Sequence, residues 1–188
     1  SNLSEARDTR TMLRLLASPD AVADVLDAGT TMRFLTAYFA VTGQHKTLTG
    51  TPRMQERPIG ILVDALRTLG ANIACVRQEG YPPLQLGGFQ HSGKNELSIR
   101  GDVSSQFISA LLMVGPTLPD GLTLRLTGEV GSRPYIEMTI QQMAAFGVPV
   151  EADWSKATLR VPRATYQPVA YAVESDWSGA SYWFALVA

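Results

Sequence analysis

Cysteine is nearly absent: Cys75 stands alone in 188 residues, which excludes an intrachain disulfide and a cysteine-cluster metal site. Histidine is almost as scarce, and the two present, His45 and His91, are widely separated, so no metal centre is expected. Neither sign of charge is in excess: 16 Lys and Arg stand against 17 Asp and Glu, a net charge of −1. That balance argues against the broad basic surface of a nucleic-acid binder, and any anionic ligand has to be held by a few placed arginines. No apolar run approaches the roughly 20 residues that span a bilayer, and the N-terminus carries no charged, apolar, small-residue leader pattern. The expected location is therefore the cytoplasm. No stretch reads as a low-complexity linker, and the Gly80-Tyr81-Pro82-Pro83 cluster reads as a turn.

With 45% hydrophobic residues the chain has enough apolar side chain for a sizeable core. Its organisation is repetitive. Asp27-Ala28-Gly29-Thr30-Thr31 opens an apolar helix, Asp102-Val103-Ser104-Ser105 opens another 75 residues later, and Asp176-Trp177-Ser178-Gly179 opens a third 74 residues after that. Arg57-Pro58 and Arg133-Pro134 each precede a second helix, and Gly70 and Gly147 stand where those helices want a left-handed cap. Ile59, Leu62, Val63, Leu66 and Leu69 form one buried helical stripe; Phe107, Ala110, Leu111 and Val114 form another. Strands are predicted at Lys46 to Thr49, Asn72 to Arg77, Leu84 to Leu86, Glu96 to Arg100, Leu122 to Thr127, Val148 to Glu151 and Leu159 to Val161.

Each unit thus reads strand, helix, strand, helix, strand, strand, an α/β (α+β) repeat. The predicted division is a helix from a preceding unit at 1–18, full units at 19–93 and 94–165, and the start of a third at 166–188. The chain begins and ends in mid-pattern, so it reads as a fragment, with Ser1-Asn2 as a cloning remnant.

Four segments carry candidate chemistry. Ser104-Ser105-Gln106 at a helix start offers an anion hydroxyl, amide and backbone donors, and a phosphate monoester suits it; the competing reading is that Asp102 and Ser104 merely cap the helix. Because the Asp recurs, Asp27, Asp102 and Asp176 are assigned chiefly to capping. Arg57, just before the helix that Pro58 starts, suits a carboxylate or phosphate, unless it is a solvated partner of Glu56. Gly29 permits close approach of a ligand to the backbone or serves only the turn. Arg33 either steadies that turn or touches ligand. Gly131-Ser132-Arg133-Pro134-Tyr135 brings a hydroxyl, a guanidinium and a phenol together, or is an ordinary loop.

Together these segments resemble the EPSP synthases (3-phosphoshikimate 1-carboxyvinyltransferases). Gly29-Thr30-Thr31-Met32-Arg33 is similar to that family's Gly-Thr-Ala/Thr-Met-Arg turn, and Gly50 through Ile59 to its Gly-x-Pro-Arg-Met-x-x-Arg-Pro-Ile stretch. Ser104 through Phe107, Ser132 through Ile136, and Asp176 through Tyr182 match its Ser-Ser-Gln-Phe, Ser-Lys/Arg-Pro-Tyr-Ile and Asp-x-Ser-x-Ala-Ser-Tyr segments, in the family's order. One departure is Phe34, where relatives often have Pro.

The resemblance implies one lobe of a two-lobed enolpyruvyl transferase that needs no cofactor and closes on its substrates. It implies contacts to shikimate 3-phosphate from Ser104, Ser105, Gln106, Ser132 and Tyr135, and to phosphoenolpyruvate from Gly29, Arg57 and Gln106. The family's N-terminal Lys-Ser segment with its following Arg, its catalytic Asp and Glu, and its further Arg and Lys that grip phosphoenolpyruvate find no counterparts here. No catalytic residue is therefore expected in this chain, and the missing lobe is its expected partner. Competing readings are a lobe of the UDP-N-acetylglucosamine enolpyruvyl transferase, a non-catalytic anion-binding module of the same fold, and an RNA 3′-phosphate cyclase. Against the first, Cys75 falls in a strand, where a buried thiol is expected rather than a loop cysteine. Near-neutral charge and the lack of a placed histidine speak against the last.

Overall fold

A strand, an apolar helix and a second strand of one sheet form a crossover in which the strands run parallel and the helix packs back across them. The chain makes this move repeatedly. In the computed structural model, which describes residues 3–174 and 177–187, helix α1 (Arg7–Ala17) leads into β1 (Val22–Asp24), α2 (Gly29–Val41) and β2 (His45–Thr49). A short α3 (Pro52–Gln55), then α4 (Gly60–Leu69), β3 (Ala71–Cys75) and β4 (Leu84–Phe89) follow. The sheet order is β1-β2-β4-β3, with β1 parallel to β2 and β4 antiparallel to both of its neighbours. The second sheet repeats that order as β5-β6-β8-β7, from β5 (Glu96–Arg100), β6 (Leu122–Thr127), β7 (Glu151–Asp153) and β8 (Thr158–Val161). Helices α5 (Ser105–Val114) and α6 (Arg133–Ala145) serve this sheet, and α7 (Trp177–Val187) follows. Among the described residues no helix is long and apolar enough to cross a membrane.

Both expected helical stripes are buried, Ile59 just before α4 with Leu62, Val63, Leu66 and Leu69 on it, and Phe107, Ala110, Leu111 and Val114 on α5. Helices α2 and α5 pack on each other and join the two layers into one core. Leu66 is fully buried in it. Leu66→Ala is expected to cost about 3 kcal/mol and to lower the thermal midpoint by roughly 10 °C, checked by melting at the helix signal.

Several expectations need correction. Strand β1 was not predicted, because three residues hold too little alternation to register. The strand expected at Val148 to Glu151 starts only at Glu151. Val148 donates its amide to the Met143 carbonyl (2.9 Å) to close α6, and Pro149 has no amide to give a ladder. The strand beginning at Asn72 stops at Cys75, not Arg77, and β4 runs on to Phe89 across a bulge opposite Ala71–Ile73. Pro58 does not start α4: the Ile59 amide is tied to the Gly80 carbonyl (2.9 Å), so helical backbone begins at Gly60. Arg133, expected before its helix, is the first residue of α6. The glycine caps are present, Gly70 at φ 114° and Gly147 at φ 84°.

Candidate functional site

Parallel crossovers place the N-termini of α2 and α4 at the C-terminal edge of β1 and β2, and those of α5 and α6 at the matching edge of β5 and β6. Those four helix starts share a chemical peculiarity. None has a side chain hydrogen-bonded as a cap, and none carries an acidic residue in its first turn. The short α3, by contrast, is capped by Thr51, whose hydroxyl accepts the Met54 amide (3.3 Å). Helix-start N–H groups and uncompensated positive helix ends at these two sheet edges favour anions.

The aspartates expected to cap these helices do not. The cap positions are Ala28 and Ser104, so Asp27 and Asp102 lie one and two residues too far upstream. Asp27 pairs with Arg7, and Asp102 takes Arg100 in a two-pronged bond of 2.9 and 2.6 Å. Asp176 lies outside the described residues. Ser104 occupies the cap position of α5 with an exposed side chain that makes no capping bond.

Between the two layers a cleft of about 450 Å³ is lined by Arg33, Arg57, Pro58, Ser104 and Phe107 among others. Gly29 forms the tightest point beside it. A Cβ placed there would stand 2.5 Å from Nη1 of Arg33 and 2.5 Å from Nη1 of Arg57, so both guanidinium groups lie on the bare Cα. Arg57 is exposed and is not paired with Glu56, and Glu56 is the one carboxylate lining the cleft among the described residues. Gln106 donates from its amide to the Thr30 hydroxyl at 2.9 Å, joining the second residue of α5 to the second residue of α2.

Arg33 differs from every other arginine described. It is 7% exposed, its Nε and Nη1 have no hydrogen-bond partner, and its guanidinium carbon stands 5.8 Å from the Phe107 ring centre. Burial first, and then the charge on Arg57, pull its pKa down to about 10. At about 1.4 kcal/mol per pKa unit, carrying this charge into the fold costs about 3 kcal/mol. Because the depressed group is a base, the cost is present throughout the range below pH 10 and lifts only above it. Lys46 shows the usual remedy: equally buried, it donates to the carbonyls of Ser18 (3.0 Å) and Asp20 (2.7 Å).

The structure thus brings Gly29, Arg57, Ser104 and Gln106 together, with Ser105 as the first residue of α5. Ser132 and Tyr135 lie at the start of α6, which packs beside α5 through a 2.7 Å bond between Ser109 and Thr139. They do not line the cleft. The Gly131 amide donates to the Gly101 carbonyl (3.0 Å), holding the Ser132 turn against the loop that precedes Ser104. Ser132 adopts a left-handed conformation (φ 55°), and Tyr135 is exposed. Arg133 is committed elsewhere, bonded to Glu137 (2.8 Å) and stacked 4.4 Å from the Trp154 ring centre. Cys75 is half-buried rather than buried, and its sulfur accepts the Gly80 amide at 3.3 Å. Phe34 is partly buried against the core.

The sequence reading missed Phe107 and Thr30 as parts of the site and left Arg33 undecided. A signal for Arg33 was present. It lies four residues after Gly29, and helical side chains lean toward the N-terminus, so a long side chain there reaches back over the first turn.

The whole chain, residues 1–188, matches the sequence profile of EPSP synthase (3-phosphoshikimate 1-carboxyvinyltransferase). It is 53% identical to the 3-phosphoshikimate 1-carboxyvinyltransferase of Bacteroides fragilis over 189 residues, covering 100% of this chain and 45% of that relative. To the enzyme of the same name in Bordetella parapertussis it is 47% identical over 165 residues, 85% of this chain and 37% of the relative. The structure of EPSP synthase from Acinetobacter baumannii superposes on 88% of this chain and 36% of its own at a TM-score of 0.71, with 22% identity, a likeness of fold. The chain therefore spans less than half the length of these relatives. On a profile match along its full length and more than half of its residues shared with the Bacteroides protein, this chain belongs to the EPSP synthase (3-phosphoshikimate 1-carboxyvinyltransferase) family.

Proposed function

We infer that this chain supplies one substrate-binding lobe of a cytoplasmic enzyme that transfers the enolpyruvyl group of phosphoenolpyruvate to the 5-hydroxyl of shikimate 3-phosphate. The observation that carries this reading is the meeting of two arginines on bare Gly29 beside uncapped helix starts. Such a corner accepts a small polyanion and gives it charge-assisted bonds. Gly29, Arg57 and Gln106 take phosphoenolpyruvate. Ser104, Ser105 and Gln106, with Ser132 and Tyr135 from the neighbouring helix start, take shikimate 3-phosphate.

In the transfer, the 5-hydroxyl oxygen bonds to C2 of phosphoenolpyruvate, C3 gains a proton, and the hydroxyl proton leaves. The tetrahedral intermediate then loses a C3 proton and the C2–O bond to phosphate, giving 5-enolpyruvylshikimate 3-phosphate and inorganic phosphate. The arginines bind and orient the phosphoenolpyruvate anion. Proton donors and acceptors come from the other lobe as the two close.

Calorimetric titration of the full-length protein tests the reading. Shikimate 3-phosphate is expected to bind, phosphoenolpyruvate to bind in its presence with release of phosphate, and UDP-N-acetylglucosamine to give no heat. A response to the nucleotide sugar alone moves the chain to the sister enzyme; silence to all three leaves an anion-binding module.

A further inference from the structure

Among the described residues Arg33 is a charge without a counter-charge. It is more than nine-tenths buried, two of its nitrogens have no partner, and it lines the cleft. Such a charge is usually neutralised by a carboxylate or, as for Lys46, by backbone carbonyls. Here the charge brought against it at Gly29 is another cation, Arg57. The Nη1 atoms of Arg33 and Arg57 are each 2.5 Å from the position of a Cβ on Gly29, so they lie no farther apart than twice that distance. Burial and the Phe107 ring hold Arg33, whereas Arg57 is exposed.

Resting on the phosphoenolpyruvate reading above, we propose that Arg33 is a positioning residue: its fixed, buried charge sets where the Arg57 guanidinium lies over Gly29 and draws the substrate anion in as the counter-charge that both arginines lack. Repulsion from Arg33 keeps the Arg57 guanidinium at the Gly29 backbone and disfavours any closer approach of the two cations. An anion seated between them reverses the balance, since one carboxylate or phosphate pairs with both cations at once.

The test compares Arg33→Met, Arg33→Lys and Arg57→Met in the full-length protein, reading steady-state kinetics and thermal midpoints with and without phosphoenolpyruvate. Arg33→Met is expected to raise KM for phosphoenolpyruvate about tenfold and to lose most of the ligand-induced rise in midpoint. Its ligand-free midpoint is expected to increase by several degrees, because an uncompensated charge has been replaced by an apolar chain of similar length. Arg33→Lys keeps the charge and is expected to recover part of the KM. In an Arg57→Met background, Arg33→Lys is expected to change KM less than it does alone. A structural role predicts the opposite signature, a lowered ligand-free midpoint with KM unchanged, and that result overturns the proposal. If Arg33→Met does not fold, the Arg33→Lys and Arg57→Met pair decides: additive effects on KM overturn it. If Arg57→Met itself binds phosphoenolpyruvate normally, the substrate reading fails first and the proposal falls with it.

Discussion

Alanine in place of Gly29 is expected to lower kcat/KM for phosphoenolpyruvate by about a hundredfold while leaving shikimate 3-phosphate affinity within a few-fold. The added Cβ would stand 2.5 Å from Nη1 of both Arg33 and Arg57 and 3.0 Å from Cζ of Arg57. Something has to move. Both contacts are with the far ends of long side chains beside an open cleft, so the guanidinium groups shift and the exposed Arg57 fork leaves the anion. A charge-assisted bond contributes about 1.5–3 kcal/mol, which at 1.4 kcal/mol per factor of ten reaches about a hundredfold. Stability has no reason to fall with activity. Gly29 opens α2 and lies outside the left-handed region, and alanine is the better helix former. The signature is a damaged KM with an undamaged thermal midpoint, measured by kinetics and melting on the same preparation. An unchanged KM would show that the arginines do not hold the substrate over Gly29.

How much of this was legible in the residues differs between fold and site, for physical reasons. Helical stripes and two-residue alternation report burial directly, so α4, α5, β5 and β6 were readable, the two strands to the residue. A three-residue strand such as β1 has too little alternation, and its place is set by pairing with β2, a long-range contact. Capping was misread for a related reason. An aspartate near a helix start is the common cap, yet whether it reaches the first amides depends on where the helix begins, and here Asp27 and Asp102 fall short. Within the site, motif chemistry made Arg57, Gly29, Ser104 and Gln106 candidates with competing structural readings, and the family resemblance assigned them to substrate. What sequence spacing does not report is that α2 and α5 meet at their starts, with Gln106 bonded to Thr30 across 76 residues of chain. Arg33 and Phe107 acquire their roles only through that meeting.

The 188-residue chain alone is expected to release no phosphate from phosphoenolpyruvate and shikimate 3-phosphate under conditions where the full-length protein turns over. The chain amounts to 45% of the length of its Bacteroides relative. What the cleft offers among the described residues is guanidinium groups, hydroxyls, helix-start amides and one exposed carboxylate, Glu56. These bind and orient anions. The reaction also needs a proton delivered to C3 and one removed from the 5-hydroxyl, each by a group held within hydrogen-bond reach. Affinity suffers as well, because an anion gripped from one side forgoes the joint orientation that a closed pair of lobes confers, and orientation is among the largest contributions to such reactions. Shikimate 3-phosphate is therefore expected to bind this chain at least about a hundredfold more weakly than the full-length protein, a loss of about 3 kcal/mol. A phosphate-release assay and a calorimetric titration, run on both lengths of protein, measure the two quantities. Turnover by the 188-residue chain at even a thousandth of the full-length rate would mean that the acid and base lie within it, with Glu56 the first side chain to replace.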